Sequence, residues 1–403
     1  MVFFVISGYA ISYRPLKLAH QRRFAEFNDA LCSSVFRRHP RLFLPAVAIT
    51  FCGAIMAYLG LFGTEGWGDV AVPTRAPHRP GNLTAQLASW AQHTVQMVDP
   101  VSRDMHRALY NAYDPNLWTL PVEFDCSMFI FLCIAAFSRL RARARLLLTL
   151  GIILFANHYT YWRIFLFSSG MFLCDLHFYL ESPSAPAPTL PEHVETPPIL
   201  ATSDSPSKAA RAASDPQVSP LRQTVTNTSA VLALFLLSIP EAGRGGPTTP
   251  GYATLYTLLP QNYANLPDHF WVPLGAVWLL LTLDRAPHLQ RWLARPFPQY
   301  LGKISYSLYL VHGPLLWSLG RAAAKTCVGW TGRETGEMYC FGIFLSAVVF
   351  WAVAICVADL VWRFVDTKAV EAGRVGYNWL TVRDDDAGGG IQLQSMREGS
   401  SGN

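Results

Sequence analysis

The sequence RRHPR at residues 37–41 leads directly into the apolar run LFLPAVAITFCGAIMAYLGLF at residues 42–62. A helix of about 20 apolar residues crosses the roughly 30 Å hydrocarbon core of a bilayer, and this run is long enough. Guanidinium groups stay charged and hold phosphate oxygens in pairs. The stretch therefore predicts a membrane helix with a cationic group at its edge, open to a phosphate-bearing ligand. The alternative is that the arginines only anchor the helix and set its orientation.

Composition places the whole chain in the membrane class. Of its 403 residues, 51% are hydrophobic and only 15% are charged, whereas soluble domains carry about 25% charged residues. The net charge of +5 is explained by basic residues on one face of a membrane, and the sequence contains no motif for binding nucleic acid. We therefore expect a lipid bilayer as a partner and no nucleic acid.

The apolar runs predict an all-α fold, a polytopic membrane helix bundle. Residues 182–222 are rich in Pro, Ser, Ala and Thr and predict a disordered cytosolic insertion. The tail at residues 384–403 is also expected to be disordered. These segments leave an N-terminal part of the membrane domain at residues 1–181 and a C-terminal part at residues 223–383. Nine spans are predicted, at residues 2–11, 42–62, 121–138, 146–161, 164–180, 225–240, 270–283, 304–319 and 341–362.

Basic residues are distributed unevenly between alternate connections. The connections on one side of the membrane hold 23 of the 32 Lys and Arg residues. Positive charge stays on the cytosolic side, so residues 37–41 are expected in the cytosol and residues 63–120 in a lumen or outside the cell. The sequon Asn82-Leu83-Thr84 falls in the latter connection, which makes Asn82 a candidate for N-glycosylation.

Glu123 is the first polar residue that the membrane segments single out. Polar residues inside such segments are costly and are candidates for function. Glu123 follows Pro121 at the start of the third segment, and its carboxylate is a candidate catalytic group. The alternative is that the carboxylate only stabilises the N-terminal end of the helix through the helix dipole.

A second polar group lies in the eighth segment. Tyr306 and Tyr309 are three residues apart and share a helix face. Ser305, Tyr309 and His312 follow one another at spacings of four and three, which predicts a polar stripe along a cavity. His312 is therefore a second candidate catalytic residue. The alternative is a structural stripe of hydrogen bonds between helices.

Several well-known catalytic motifs are absent from the sequence. It has no Gly-x-Ser-x-Gly, no Walker loop, no His-Glu-x-x-His and no Cys-x-x-Cys. These absences argue against a triad hydrolase, an NTPase and a zinc enzyme, and no metal is expected.

Five short motifs follow one another along the chain. They are FFVISGY at residues 3–9, RHPRL at residues 38–42 with Pro45 beyond, LWTLPVE at residues 117–123, SGM at residues 169–171 and ISYSLYLVH at residues 304–312. In this order they resemble the membrane-bound acyltransferase family 3, and the resemblance covers nearly the whole chain. They are similar to the FFxxSG helix of that family, its Arg-x-x-Arg signature, its Trp…Glu element, its mid-chain Gly-Met and its Ser-Tyr-Ser-Leu-Tyr-Leu-x-His helix. The long Pro/Ser insertion and the lack of an appended hydrolase-like domain resemble fungal members that act on small metabolites.

The resemblance implies ten membrane helices and transfer of an acyl group from acyl-CoA to a hydroxyl, often of a sugar or a secondary metabolite. It makes acyl-CoA a co-substrate, with no bound cofactor, and a small hydroxylated acceptor the second partner. Arg38 and Arg41 are then expected near the phosphates of acyl-CoA. Glu123 and His312 remain the candidate catalytic residues. The residues expected to line the substrate cavity are Trp118, Ser305, Tyr306 and Tyr309.

The sequence departs from this family at its start. Family members begin with a helix bearing an Arg and a His, and that His is the expected general base. Here Met1 directly precedes the second family helix, with nine predicted spans instead of ten, so the first helix is expected to be missing. His312, His158 and Glu123 are the candidate substitutes, because O-acyl transfer needs a base to take the hydroxyl proton.

Two other functions are compatible with the sequence. A transporter or flippase on the same scaffold would hold charges near the membrane midplane on broken helices, and the sequence offers few candidates. A catalytically inactive, truncated copy would follow from the missing helix. An apolar segment with a His, encoded upstream of Met1, would favour the enzyme.

Overall fold

A computed structural model describes residues 1–62, 77, 79–99, 111–181, 220–240, 245–264 and 266–381. The backbone of these residues forms helices joined by turns and contains no strand, so the predicted all-α fold is confirmed. Short 3₁₀ or π turns lie at Pro115–Trp118, Leu316–Gly320 and Trp362–Asp366. The α-helices are α1 Val2–His20, α2 Phe24–Tyr58, α3 Leu83–Val98, α4 Thr119–Phe137, α5 Ala142–His158, α6 Trp162–Glu181, α7 Pro220–Leu237, α8 Ala253–Thr257, α9 Trp271–Asp284, α10 Pro287–Leu293, α11 Pro296–Leu315, α12 Arg321–Thr331, α13 Gly336–Val361 and α14 Thr367–Leu380.

Each of the nine predicted apolar segments lies on one of these helices. Within the described residues, four helical stretches are long and apolar enough to cross a membrane by themselves. The chain is therefore a polytopic membrane helix bundle, and the number of nine spans stays a prediction. The four stretches are Phe24–Tyr58, Pro115–Phe137, Trp162–Glu181 and Gly336–Leu380.

The second predicted span, at residues 42–62, lies on a helix that begins well before it. Helix α2 begins at Phe24 and runs through the arginines of residues 37–41, with Pro40 and Pro45 inside it. Each proline removes one backbone hydrogen bond, but neighbouring helices make such positions tolerable in membrane proteins. The charged stretch is therefore helical and not a loop, and its place at the membrane edge stays a prediction.

The predicted insertion and tail fall mostly on residues that the structure does not describe. Helix α7 begins at Pro220, so the last three residues of the predicted insertion at 182–222 are helical. The remainder of the insertion, and the predicted tail at 384–403, lie outside the described residues.

The chain divides into two compact units that do not follow the order of the sequence. The first unit comprises residues 1–23 and 133–294, and the second comprises residues 24–132 and 295–403. The predicted N-terminal and C-terminal parts, 1–181 and 223–383, were defined along the chain, so each contributes to both units.

Helices α1 and α6 of the first unit approach each other closely. A methyl group at Gly8 would overlap the carbonyl oxygen of Phe167, and a methyl group at Gly170 would overlap that of Val5. Only glycine allows two helix backbones to come this near, as at many membrane helix contacts. The Ser-Gly pairs of the FFVISGY and SGM motifs therefore meet in one helix contact.

The second unit is built around α2, which packs against α3, α11 and α14, while α11 also packs against α13. Burial of apolar side chains, worth about 25 cal/mol per Å², holds α2, α3, the start of α4 and α11 together. This core determines where the polar side chains of the same helices lie. Its buried residues are Leu42, Phe43, Ala46, Met97, Leu117, Leu120 and Leu310.

Candidate active site

Arg38 and Glu123 form a buried ion pair in the second unit. An Arg38 terminal nitrogen donates to Glu123 Oε1 at 2.7 Å, and Arg38 Nε donates to Ser127 Oγ at 3.0 Å. Only 9% of Arg38 and 3% of Glu123 is exposed. A buried charge is costly unless it is paired and hydrogen-bonded, and each of these two charges satisfies the other. Residues from α2 and α4, 85 positions apart, are thus brought together.

The expectation that Arg38 stands open to a phosphate is wrong in this structure. Its position on the inner face of α2 directs the guanidinium at Glu123, so the charge is already neutralised. Arg41 is exposed, and Arg37, four residues earlier on the same face, is partly exposed with Nε donating to Ser33 O at 3.1 Å. The accessible cations of this stretch are therefore Arg37 and Arg41.

Glu123 does not act as an end group of its helix. No acidic residue lies in the first turn of α4, and the carboxylate bonds to Arg38. The dipole interpretation is thus replaced by an ion pair, and Glu123 stays a candidate for a role in the reaction.

Tyr306 and Tyr309 on α11 lie close to α2 and α4, as the shared helix face predicts. The Tyr306 hydroxyl donates to Leu42 O, and the Tyr309 hydroxyl donates to Asn116 O. Thr119 Oγ1 lies 2.6 Å from the Tyr309 oxygen, which can accept its proton. Both hydroxyls are therefore used in contacts between helices, which agrees with the structural alternative for this stripe.

His312 is held at both ring nitrogens. Nδ1 lies 2.5 Å from Tyr309 O, and Nε2 lies 3.4 Å from Asn116 Nδ2. A carbonyl only accepts, so Nδ1 carries the proton and Nε2 accepts from the Asn116 amide. His312 is thus beside the predicted cavity residues, with its lone pair already in use.

Ser305 does not join this group, whereas the place of Trp118 in the cavity stays a prediction. Ser305 is exposed, and its Oγ donates to Gly302 O at 2.8 Å. Trp118 is 37% exposed. The predicted stripe of Ser305, Tyr309 and His312 is therefore wrong at its first member, because a hydroxyl satisfied by its own helix turn has no need of a neighbouring helix.

Asp114 and Asn116, just before α4, were missed by the sequence reasoning. Asp114 Oδ1 accepts from the Asn116 backbone N–H at 2.9 Å, and Oδ2 has no partner among the described residues. Burial raises the pKa of Asp114 to about 7. A methyl group at Gly313 would lie 2.8 Å from Oδ1, so this turn is pressed against α11. The Asp-Pro-Asn sequence, typical of a capped turn, was the available signal.

A separate buried cluster in the first unit was also missed. Arg145 binds Asp175 through two bonds, Nε to Oδ2 at 2.7 Å and a terminal nitrogen to Oδ1 at 2.5 Å. His20 Nε2 lies 2.8 Å from Asp175 Oδ1 and 2.8 Å from the same Arg145 nitrogen. Arg145 falls in the connection between the predicted spans at residues 121–138 and 146–161, yet it is only 2% exposed, because it lies inside α5 and faces α6.

The other predicted sites lie away from these clusters. The His158 ring is exposed at the end of α5. Asn82 is exposed at the N-cap of α3, where its Oδ1 accepts from the Ala85 N–H at 2.7 Å, and its glycosylation stays a prediction. Within the described ranges, no group of three His, Cys, Asp or Glu residues is placed to hold a metal ion.

Residues 1–363 match a family model described as an acyltransferase domain, Acyl_transf_3. The chain belongs to the acyltransferase 3 family. The resemblance carried by the five motifs is therefore confirmed, over nearly the whole chain.

Three curated relatives of this chain are also named as acyltransferases. The O-acetyltransferase PaAT-1 of Phomopsis amygdali is 39% identical over 397 residues, which cover 96% of this chain and 75% of that protein. Acyltransferase R4 of a Phoma species and acyltransferase clz18 of Cochliobolus lunatus are each 22% identical, over 95% of this chain and 81% of each relative. No solved structure matches this chain significantly.

Proposed function

We propose that this protein is a membrane O-acyltransferase that moves an acyl group from acyl-CoA to a hydroxyl of a small metabolite or carbohydrate. Membership of the acyltransferase 3 family supports transfer chemistry, and the relative named as an O-acetyltransferase supports acetyl as the acyl group. The observation that carries the proposal is a polar group inside a membrane helix bundle, made of the buried pair Arg38 and Glu123 and the partly buried Tyr306 and Tyr309. Buried ionisable residues in such a bundle are costly and mark functional sites.

The phosphates of acyl-CoA are proposed to bind at Arg41, with Arg37 beside it. These two guanidiniums are accessible and lie one helix turn apart, which suits the paired oxygens of a phosphate. Arg38 is proposed to act through Glu123, holding its carboxylate ionised and in place. The side of the membrane proposed for this end of α2 is the cytosol, where acyl-CoA is present.

The test is acyl transfer by the full chain, purified in detergent, with radiolabelled acetyl-CoA. Cyclohexanol, a hydroxysteroid and glucose serve as acceptors of different size and polarity. The expected result is a labelled ester and one equivalent of free CoA thiol. The proposal is overturned if no acceptor is esterified, or if protein in vesicles accumulates an alcohol without consuming acetyl-CoA, which is the behaviour of a transporter.

Arg41→Gln is expected to raise the KM for acetyl-CoA about two- to fivefold, because an exposed charge pair is worth at most about 1 kcal/mol. Added salt should raise the KM of the wild type more than that of the variant, since salt screens exposed charges. Arg285→Gln, which removes an exposed arginine outside the candidate site, is the control. An unchanged KM with unchanged salt dependence would remove Arg41 from the proposed phosphate site.

A further inference from the structure

His39 is held in one orientation by three contacts on α2, α3 and α4. Its Nε2 lies 2.9 Å from Val98 O, and its ring packs at 4.7 Å from the Phe43 ring and edge-on at 5.3 Å from the Phe124 ring. A carbonyl oxygen only accepts, so Nε2 carries a proton, and in the neutral ring Nδ1 is then the nitrogen with the lone pair. Nδ1 has no hydrogen-bond partner among the described residues. His39 therefore offers a ring nitrogen that no described residue engages.

His39 also lines a groove between α2 and α3. The groove has a volume of about 590 Å³, within the range of roughly 300–1,000 Å³ found for small-molecule sites. The buried hydroxyl oxygen of Thr94 has no hydrogen-bond partner in the described part of the chain, so this group can bond to a ligand. Asp99, at one end, is the last described residue before Asn111. The lining residues are His39, Val47, Thr94, Val95, Val98 and Asp99.

His39 also contacts the helix that carries Glu123. Its ring packs against Phe124, which directly follows Glu123 on α4, and His39 itself directly follows Arg38 on α2. By contrast, His312 has both nitrogens in hydrogen bonds, and Nε2 of His20 lies within the Arg145–Asp175 pair. His39 thus combines an unengaged ring nitrogen, a position in the groove lining and a contact with the Glu123 helix.

We infer that this groove receives the acyl acceptor, an apolar molecule bearing a hydroxyl, and that Nδ1 of His39 is the general base. The inference rests on the proposed O-acyl transfer. The hydroxyl gives its proton to Nδ1, and its oxygen attacks the thioester carbonyl carbon. The carbon–sulfur bond then breaks, and the thiolate takes the proton back from the imidazolium. The products are an ester and the free CoA thiol, with His39 neutral again.

His39→Ala is expected to lower kcat about 10²- to 10⁴-fold, the usual contribution of a general base, with little change in the KM for acetyl-CoA. Added imidazole should restore part of the lost rate, which would not happen if His39 only held helices together. His288→Ala, at a histidine of the first unit whose Nε2 bonds to Asn227 Oδ1, is the matched control and should keep wild-type activity.

A second pair of variants tests the groove without touching the base. Val95 is 68% exposed, so Val95→Trp should fold and fill the groove, raising the KM for the hydroxysteroid about tenfold while leaving the KM for acetyl-CoA unchanged. Ala91→Trp, at an exposed position of α3 that does not line the groove, is the control.

The outcomes separate the two proposals. A wild-type protein that forms no ester defeats the proposed function itself. An active wild type whose His39→Ala variant keeps its rate, or loses it without rescue by imidazole, overturns the role of His39. An effect of Val95→Trp on the KM for acetyl-CoA alone would assign the groove to the acyl donor and overturn the proposed occupant.

Discussion

The two units each contain a buried arginine–carboxylate pair, and the pairs differ in how completely they are closed. Arg145 and Asp175 in the first unit share two hydrogen bonds and are almost fully buried. Arg38 and Glu123 in the second unit share one, and the second bond from Arg38 goes to a neutral hydroxyl, Ser127. Arg145 directs two N–H groups at the same carboxylate, that of Asp175. Arg38 instead divides its N–H groups between Glu123 and Ser127.

This difference suggests two uses of the same chemistry. A bidentate pair in a closed setting has little capacity left for a ligand and serves to fix helices. The Arg38–Glu123 pair is bonded to the Ser127 hydroxyl, and His39, which lines the groove, directly follows Arg38 on α2. We therefore expect substitutions in the first pair to act on stability and those in the second to act on activity as well.

The largest expected effect is that of Asp175→Asn. The change leaves Arg145 charged and buried without a full partner, so the free energy of unfolding should fall by about 3–5 kcal/mol. Denaturant unfolding in detergent measures this loss. The double replacement of Arg145 by Met and Asp175 by Leu should recover much of the stability, because it removes both buried charges. A stable Asp175→Asn protein would contradict a structural role for the pair.

A smaller loss of stability, with a larger loss of activity, is expected for Glu123→Gln. Arg38 keeps its bond to Ser127, so the free energy of unfolding should fall by about 1.5–3 kcal/mol, the worth of one hydrogen bond to a charged group. The value of kcat/KM, corrected for the folded fraction, should fall more than it does for Asp175→Asn. Glu371→Gln, in an exposed pair with Lys368, is the control. Equal activity losses in the Asp175 and Glu123 variants would contradict the proposed difference between the two ion pairs.

The smallest effect, counted per unit of pH, concerns the pH dependence of the second unit. Because the pKa of Asp114 is about 7 in the folded protein and 3.8 ordinarily, the folded state keeps the proton longer than the unfolded chain. The protonated Asp114 carboxyl therefore favours the folded state at low pH. The free energy of unfolding falls between about pH 4 and pH 7, at roughly 1.4 kcal/mol per pH unit.

Asp114→Asn should remove that slope, and Asp125→Asn, at an exposed position, should retain it. Unfolding curves recorded at pH 5, 6 and 7 provide the measurement. If the wild type and Asp114→Asn show the same pH dependence, the buried carboxyl of Asp114 does not titrate in this window.

Helices were predicted well, while the bonding of polar side chains was not. An apolar run long enough to cross a bilayer carries its own signal, and every predicted run lies on a helix. The start of α2 was missed because polarity at residues 37–41 suggested an end, although arginine is a good helix former. Arg145 was assigned to a loop for the same reason.

In the candidate site as well, positions could be predicted from the sequence, whereas bonding partners could not. Glu123, Tyr306 and Tyr309 were recognised from their positions in membrane segments, and the structure brings them near one another's helices. Ser305 has the right spacing but the wrong face. His39 was read only as part of a cationic stretch, because nothing in RRHPR tells that Val98 binds one of its nitrogens.

The amino-acid sequence by itself determined the class of the protein, since apolar length, charge bias and the order of five short motifs are properties of local chain segments. Only the tertiary structure decided which arginine is neutralised, which glycines touch and which histidine keeps a free lone pair. These features depend on side chains far apart in the sequence, such as Arg38 and Glu123, and on the burial that makes an unpaired charge too costly to leave alone.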